Sequence, residues 1–337
     1  MTNNTQKRIV SGMRSTGKLH LGHYFGVLAN WIKLQNEYES FFFIADWHAL
    51  TTKFNSTEDL KSNVENVAMD WLACGIDPEK STIYVQSWVP QIAQLHIYLS
   101  MITPQNWVER DPTLKDMAKA LRMGGSNESQ ISYGLLGYPV LMTADIMMFN
   151  ANYVPVGIDQ VAHVELSRDI VRRFNNTYKT DLFVEPKPLL TQIPLMKGID
   201  GNKMGKSFQN DIKISDTKEE TEKKIMRAIT DRSRLRREDL GHPEQCEVAY
   251  EYWKIFGDEE KIKEIDSMCR EGKIGCAQCK RELAQKVNET LEPIRQKRLI
   301  YEQNPKLVRE ILMEGSKKAQ AEAQIILDKA REAIKMY

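Results

Sequence analysis

The stretch KRIVSGMRSTGKLHLGHYFG, residues 7–26, decides the reading of this chain. It opens with a β-branched apolar run, KRIVSG (7–12), that reads as a buried strand. It continues through a glycine-bearing turn into a helix expected from about Tyr24. Glycines at 12, 17 and 22 permit close backbone approach, and the helix start offers free N–H groups and the positive end of the helix dipole, which suits an anion. His20 and His23 are set so that both can reach one bound group at this strand-to-helix corner and donate hydrogen bonds to phosphate oxygens. Alone, the segment reads more readily as a glycine-rich turn with two surface histidines.

Three further runs repeat the strand signature: FFFIAD (41–46), TIYVQS (82–87) and NYVPVG (152–157). Between the second and third strands, Leu60, Val64, Val67, Ala68, Trp71 and Leu72 recur at helical spacing, with Thr57 as the expected cap and Gly75 as the stop. Strand, helix, strand with crossovers of this size predicts a parallel sheet covered on both faces, which binds ligands beyond the carboxyl ends of its strands. From about residue 215 the pattern becomes charged helix, with no further strand. The expected architecture is α/β: a Rossmann-like, parallel-sheet nucleotide-binding domain over 1–214, then a mostly helical domain over 215–337 onto whose predecessor the last helix can pack back.

A length of 337 residues accommodates two domains. The net charge of +1 excludes a strongly basic nucleic-acid binder while leaving room for local basic patches, and 42% hydrophobic with 28% charged residues is ordinary globular composition. No apolar run approaches a membrane span and the polar start lacks a secretory signal, so the expected setting is cytoplasmic. There a cysteine cluster points to metal or redox work rather than to disulfides.

A second loop, GNKMGKS (201–207), places Lys203 and Lys206 three apart, two mobile ammonium groups suited to charge developing on a pyrophosphate leaving group. Together HLGH (20–23) and KMGKS (203–207) resemble the HIGH and KMSKS signatures of class I aminoacyl-tRNA synthetases. Here Gly205 stands where serine is usual. The block YPVLMTADIMMFNANYVPVGIDQVAHVELSRDI (138–170), with ADWHALT (45–51), resembles the tryptophanyl-tRNA synthetases of bacterial type, and the likeness runs along nearly the whole chain.

That resemblance implies residue roles. His20, His23, Lys203 and Lys206 would stabilise phosphoryl charge. Arg14, Ser15, Thr16, Gly22, Gly157, Ile158, Asp159, Leu195, Met204, Gly205 and Ser207 would contact ATP, with Asp159 facing the ribose hydroxyls and arginine at 14 departing from the glutamine found in many relatives. Asp145 would accept the indole N–H, the one polar atom of that ring, while Met142, Tyr138, Gln160, His48, Val154 and Val156 complete the pocket. For the two valines core packing reads equally well. The apolar neighbours of Asp145 predict a buried and therefore paired carboxylate. The implied partners are L-tryptophan, ATP with Mg²⁺ and the tRNA for tryptophan, with a homodimer as the assembly. The rival readings are a tyrosyl-tRNA synthetase, an enzyme that transfers nucleotides to a small molecule without RNA, and a synthetase-like iron–sulfur regulator.

Four of five cysteines, Cys246, Cys269, Cys276 and Cys279, fall in a C-x22-C-x6-C-x2-C pattern. Four thiolates suit tetrahedral zinc or a [4Fe–4S] cluster, and spacing does not choose between them. A subset of the bacterial tryptophanyl enzymes carries this pattern with a [4Fe–4S] cluster, which makes iron–sulfur the expectation and zinc the alternative. Nearby Arg270, Lys273, Lys280 and Arg281, and the run Arg232, Arg234, Arg236, Arg237, can face RNA phosphates or be a solvated face. Cys74 reads as a core thiol.

Overall fold

The computed structural model describes residues 6–110, 131–190 and 196–336, without the side chains of Asp159 and Ser207; Leu195 therefore lies outside the described residues. The chain divides into two compact units that do not follow a cut at residue 214. One comprises Met1–Gly17, Asn30–Gln192 and Asn304–Tyr337; the other comprises Lys18–Ala29 and Ile193–Gln303.

The first unit is built on a five-stranded sheet of β1 (Arg8–Arg14), β2 (Glu39–Ala45), β3 (Ser81–Val85), β4 (Tyr153–Val156) and β5 (Lys187–Leu190). Their order is β3-β2-β1-β4-β5 and every pairing is parallel. β2 is buried along nearly its whole length, as a parallel strand covered on both faces must be. Val10 lies opposite Phe41, and Phe42 opposite Ile83. Because β2 and β3 lie to one side of β1, and β4 and β5 to the other, the chain reverses direction of travel between β1 and β4. Crevices at such points take ligands.

Several local expectations need revision. β5 carries Lys187 and Pro188 at the sheet edge and lacks the apolar signature of the others. The third strand stops at Val85, and Gln86–Trp88 form a 3-10 turn. Helix begins at Leu21 rather than near Tyr24 and passes through a π turn over Tyr24–Leu28. Thr57 does not cap its helix through its side chain; Asp59 precedes Leu60–Cys74, and the Thr57 carbonyl accepts from the Leu60 N–H at 3.0 Å. Gly75 does end that helix, at φ 114°. Cys74, its last residue, is only half-buried.

The last helix, Pro305–Ile334, belongs to the first unit and lies on β3, the edge strand. Its buried stripe includes Gly315, Ser316, Ala319 and Ala323, small residues that let backbone approach backbone. The Val85 N–H donates to Ser316 Oγ at 3.3 Å, so an edge donor is satisfied by a covering helix. A Cβ at 315 would sit 1.9 Å from the carbonyl oxygen of Ile83.

The second unit is mostly helical: Lys218–Arg227, Ala249–Phe256, Glu259–Arg270 and Cys276–Gln303 are its principal helices. The first starts with a capping box, in which Thr217 Oγ1 accepts from the Glu220 N–H at 3.1 Å and Glu220 Oε2 from the Thr217 N–H at 2.9 Å. Among the described residues no helix is long and apolar enough to cross a membrane.

Backbone cannot give way as a side chain tip can. Gly315→Ala is therefore expected to destabilise the protein by about 1–3 kcal/mol, as overpacking does, read as a lower denaturant midpoint; an unchanged midpoint would contradict this packing.

Candidate active site

In the second unit the two signature segments are joined by backbone pairing. The Leu21 N–H donates to the Ile212 carbonyl at 2.9 Å, the Ile214 N–H donates to the Leu19 carbonyl at 2.9 Å, and His20 pairs antiparallel with Lys213. Residues 19–21 are thereby fixed beside the segment that follows the lysine loop. The site of a Cβ on Gly22 lies 3.0 Å from the His20 ring and 3.7 Å from Met204 Cβ, so glycine leaves room for the ring and for the loop.

His20 and His23 stand with ring centroids 3.7 Å apart. The His20 backbone N–H donates to His23 Nδ1 at 3.3 Å, which puts the proton of a neutral His23 on Nε2. Burial pushes His20 down to about 4, with Lys206 adding to the effect and Asp211 opposing it. Burial, His20 and Lys206 hold His23 well below the ordinary imidazole range. Both rings are neutral near pH 7 and act as hydrogen-bond donors rather than cations. His20 Nδ1 is buried with no partner among the described residues.

The lysine loop is held by Asn210, which the sequence did not single out. Its Nδ2 donates to Asp200 Oδ1 at 2.8 Å and to the Lys203 carbonyl at 3.1 Å, while its Oδ1 accepts from the Gly205 N–H at 2.9 Å. Asn210 is buried, Lys203 exposed, Lys206 half-buried and Met204 buried. Ser207 begins no new element: Lys206–Phe208 is one 3-10 turn.

In the first unit Asp145 sits on the helix Tyr138–Met148 and is 0% exposed. Gln86 Nε2 donates to both of its oxygens at 2.9 Å, and His48 Nε2 lies 3.0 Å from Oδ2. The His48 backbone N–H donates to Gln86 Oε1 at 3.4 Å, closing the ring. Burial raises the Asp145 pKa, and the contacts from His48 and Gln86 oppose that rise. The expectation of a buried, paired carboxylate holds, and its partner Gln86 was missed. Gln86 follows the carboxyl end of β3, where site residues concentrate in parallel sheets.

Around it, the Tyr138 hydroxyl is bonded to His163 Nε2, Val154 and Val156 are buried in the core, and Met142 packs against that core. Gln160 is half-buried at the start of the helix Val161–Tyr178. Arg14 is the last residue of β1 and Ser15 follows it, while Gly157 and Ile158 follow β4, at the two strand ends flanking the topological switch. Arg14 donates to Thr52 Oγ1, while its Nε and Ser15 Oγ are buried without a partner among the described residues. The Thr16 N–H bonds the Arg14 carbonyl at 2.9 Å, and Ile158 is 77% exposed.

The four clustered cysteines all belong to the second unit. Cys246 follows a 3-10 turn, Cys269 lies near the end of the helix Glu259–Arg270, and Cys276 and Cys279 occupy the first turn of Cys276–Gln303. All are free and half-buried. Burial pushes the Cys279 thiol up to about 12, with Cys246, Cys269 and Cys276 adding to it despite a hydrogen bond from Trp253 Nε1 at 3.3 Å. Burial likewise raises Cys246 and Cys269. Among the described residues no group of three or more His, Cys, Asp or Glu side chains is placed to hold a metal ion.

Comparison with known proteins gives these features a context. Residues 2–292 match the family of class I tRNA synthetases for W and Y. The tryptophan–tRNA ligase of Aquifex aeolicus is 42% identical over 98% of this chain and 100% of its own length. That of Thermotoga maritima is 43% identical over 98% of this chain and 99% of its own. The Campylobacter jejuni tryptophanyl-tRNA synthetase crystallised with ADP and tryptophan superposes with a TM-score of 0.88 at 34% identity, covering 98% of this chain and 100% of that one. A chain matched along almost its whole length in this way belongs to the class I tRNA synthetase family for tryptophan and tyrosine, among the tryptophanyl-tRNA synthetases.

Proposed function

We infer that the chain is a tryptophan–tRNA ligase that activates L-tryptophan with ATP and then charges the tRNA for tryptophan. The observation that carries the amino-acid choice is the Asp145 carboxylate, sealed at 0% exposure and offering only acceptance. An indole has one N–H donor and no acceptor, so the two are complementary, whereas a phenolic hydroxyl both donates and accepts. Met142, Val154, Val156 and His48 supply the remaining walls. Tyr138 and Gln160 hold the α-amino group.

In the reaction the tryptophan carboxylate attacks the α-phosphate of ATP, the bond to the β-phosphate breaks, and pyrophosphate leaves. The terminal ribose hydroxyl of the tRNA then attacks the adenylate carbonyl and AMP departs. No protein nucleophile is needed. Catalysis is positioning and stabilisation of phosphoryl charge. The neutral imidazoles of His20 and His23 donate to phosphate oxygens, and Lys203 and Lys206 meet the charge that develops on pyrophosphate. Mg²⁺ accompanying ATP would neutralise part of the same charge. Family resemblance assigns Arg14, Ser15, Thr16, Gly22, Gly157, Ile158, Asp159, Leu195, Met204, Gly205 and Ser207 to the nucleotide.

The reading extends to a cluster and a dimer. Donor chemistry supports a [4Fe–4S] group: the charges of Cys246, Cys269 and Cys276 act on Cys279, and burial raises Cys246, Cys269 and Cys279, which keeps those three thiols protonated until a metal replaces the proton. Cys246, Cys269, Cys276 and Cys279 would hold it. When bound it would cross-link the segments that carry them, a structural role in the part of the chain after residue 215 that we assign to reading tRNA. The dimer is supported by an apolar surface on the first unit, where Leu50, Phe54 and Tyr133, exposed by 37%, 62% and 77%, line a hollow of about 330 Å³.

Lys206→Ala is expected to lower the single-turnover rate of adenylate formation by about 10²-fold or more while leaving tryptophan binding nearly unchanged; an unchanged rate would remove that role. Native mass spectrometry of anaerobically purified protein is expected to show two chains, each carrying four irons and four sulfides. Zinc in place of iron would contradict the cluster, and the mass of one chain would contradict the dimer.

A further inference from the structure

Asn210 is 2% exposed, and its side chain donates twice and accepts once within the loop before it. The orientation of that amide is fixed by its partners. The Gly205 N–H can only donate and the Lys203 carbonyl can only accept, so oxygen must face the first and nitrogen the second. An aspartate of the same shape would meet Gly205 but could not donate to the Lys203 carbonyl or to Asp200. Asparagine is thus the residue this place requires.

Space for the amide is made from the other side of the turn. A Cβ on Gly198 would lie 2.4 Å from Asn210 Cγ and 2.4 Å from its Nδ2. The turn is closed by the Gly198 N–H, which donates to the Asn202 carbonyl at 2.7 Å, and by the Gly201 N–H, which donates to the Gly198 carbonyl at 3.0 Å. Both oxygens of Asp200 are taken up by amides: Oδ1 accepts from the Asn202 N–H at 3.1 Å as well as from Asn210, and Oδ2 accepts from Asn202 Nδ2 at 3.1 Å. The Asn210 backbone is anchored too, its carbonyl accepting from the Ile199 N–H at 2.9 Å. Two residues on, the Ile212 carbonyl accepts from the Leu21 N–H at 2.9 Å, in the strip that runs beside His20.

The clamp acts on backbone and leaves the long side chains alone. It fastens the chain at 203 and 205, on both sides of the buried Met204, while Lys203 stays exposed and Lys206 half-buried. Two flexible four-carbon stems on an unrestrained loop would spread their charge over many positions; the same stems on a fixed base concentrate it. We propose that Asn210 is a positioning residue for adenylate formation, setting the base from which Lys203 and Lys206 reach the departing pyrophosphate and tying that base to the His20 segment. The proposal rests on the ligase reading above and deepens it at the same site. Gly198 serves the same end by leaving the amide its space.

The test separates the two half-reactions on the full-length protein: single-turnover formation of tryptophanyl-adenylate from tryptophan and ATP, and transfer of tryptophan from isolated enzyme-bound adenylate to its tRNA. Asn210→Ala is expected to slow adenylate formation about 10²-fold, as a small misplacement of reacting groups does, with tryptophan binding and the transfer step unchanged. Gly198→Ala, which displaces the amide without altering it, is expected to show the same split and takes over should Asn210→Ala fail to fold. In a Lys206→Ala background, loss of Asn210 is expected to cost about tenfold or less, because effects that pass through a shared group are not additive. Equal losses in both half-reactions would mean general damage and overturn the role. The full loss repeated in the Lys206→Ala background, or an unchanged rate in folded variants, would overturn it as well. If the unmodified protein forms no adenylate with tryptophan, the ligase reading falls and this role with it; a normal rate there beside unaffected variants strikes Asn210 alone.

Discussion

A carboxylate in an apolar helix is costly unless every lone pair finds a donor, and the first unit is arranged around meeting that condition for Asp145. The helix Tyr138–Met148 delivers it, the turn after β3 delivers Gln86, and the helix Asp46–Lys53 after β2 delivers His48. Each partner comes from a different crossover, so the network forms only when the parallel sheet has its strands in the right order. The same ring of contacts orients the carboxylate as a pure acceptor. The fold thus depends on one electrostatic constraint, and under the proposed function selectivity depends on it too.

The second unit solves a different problem, that of holding mobile lysine charge in a braced loop. Backbone pairing of residues 19–21 with 212–214 brings segments nearly two hundred positions apart into register, and Asn210 clamps the lysine loop from within. Desolvation keeps His20 and His23 neutral. In the proposed reaction, neutral donors would stabilise phosphate oxygens without adding fixed positive charge to that of the lysines, whose ammonium groups would follow the leaving group.

Much of this was legible because the signals are local. Apolar runs ending in glycine-bearing turns mark β1 to β4, and the apolar neighbours of Asp145 announce a buried carboxylate. What escaped was set by tertiary partners. Gln86 reads as the tail of a strand until the chain turns after Val85, and Asn210 is an ordinary polar residue until it is found inside the loop it braces. β5 is a short edge strand held by its neighbour rather than by its own composition. The compact units diverge from the reading of one domain followed by another because the last helix returns to cover β3, and residues 18–29 pair with the later segment. In the cysteine region the spacing was visible, while the elements that carry the four residues needed the fold.

Under the proposed function, the sealed Asp145 acceptor selects indole. This selection is tested most directly by ATP–pyrophosphate exchange with each amino acid supplied singly to the purified protein. Exchange is expected with tryptophan and not with tyrosine or phenylalanine. Exchange with tyrosine at a comparable rate, or with no amino acid at all, would contradict it.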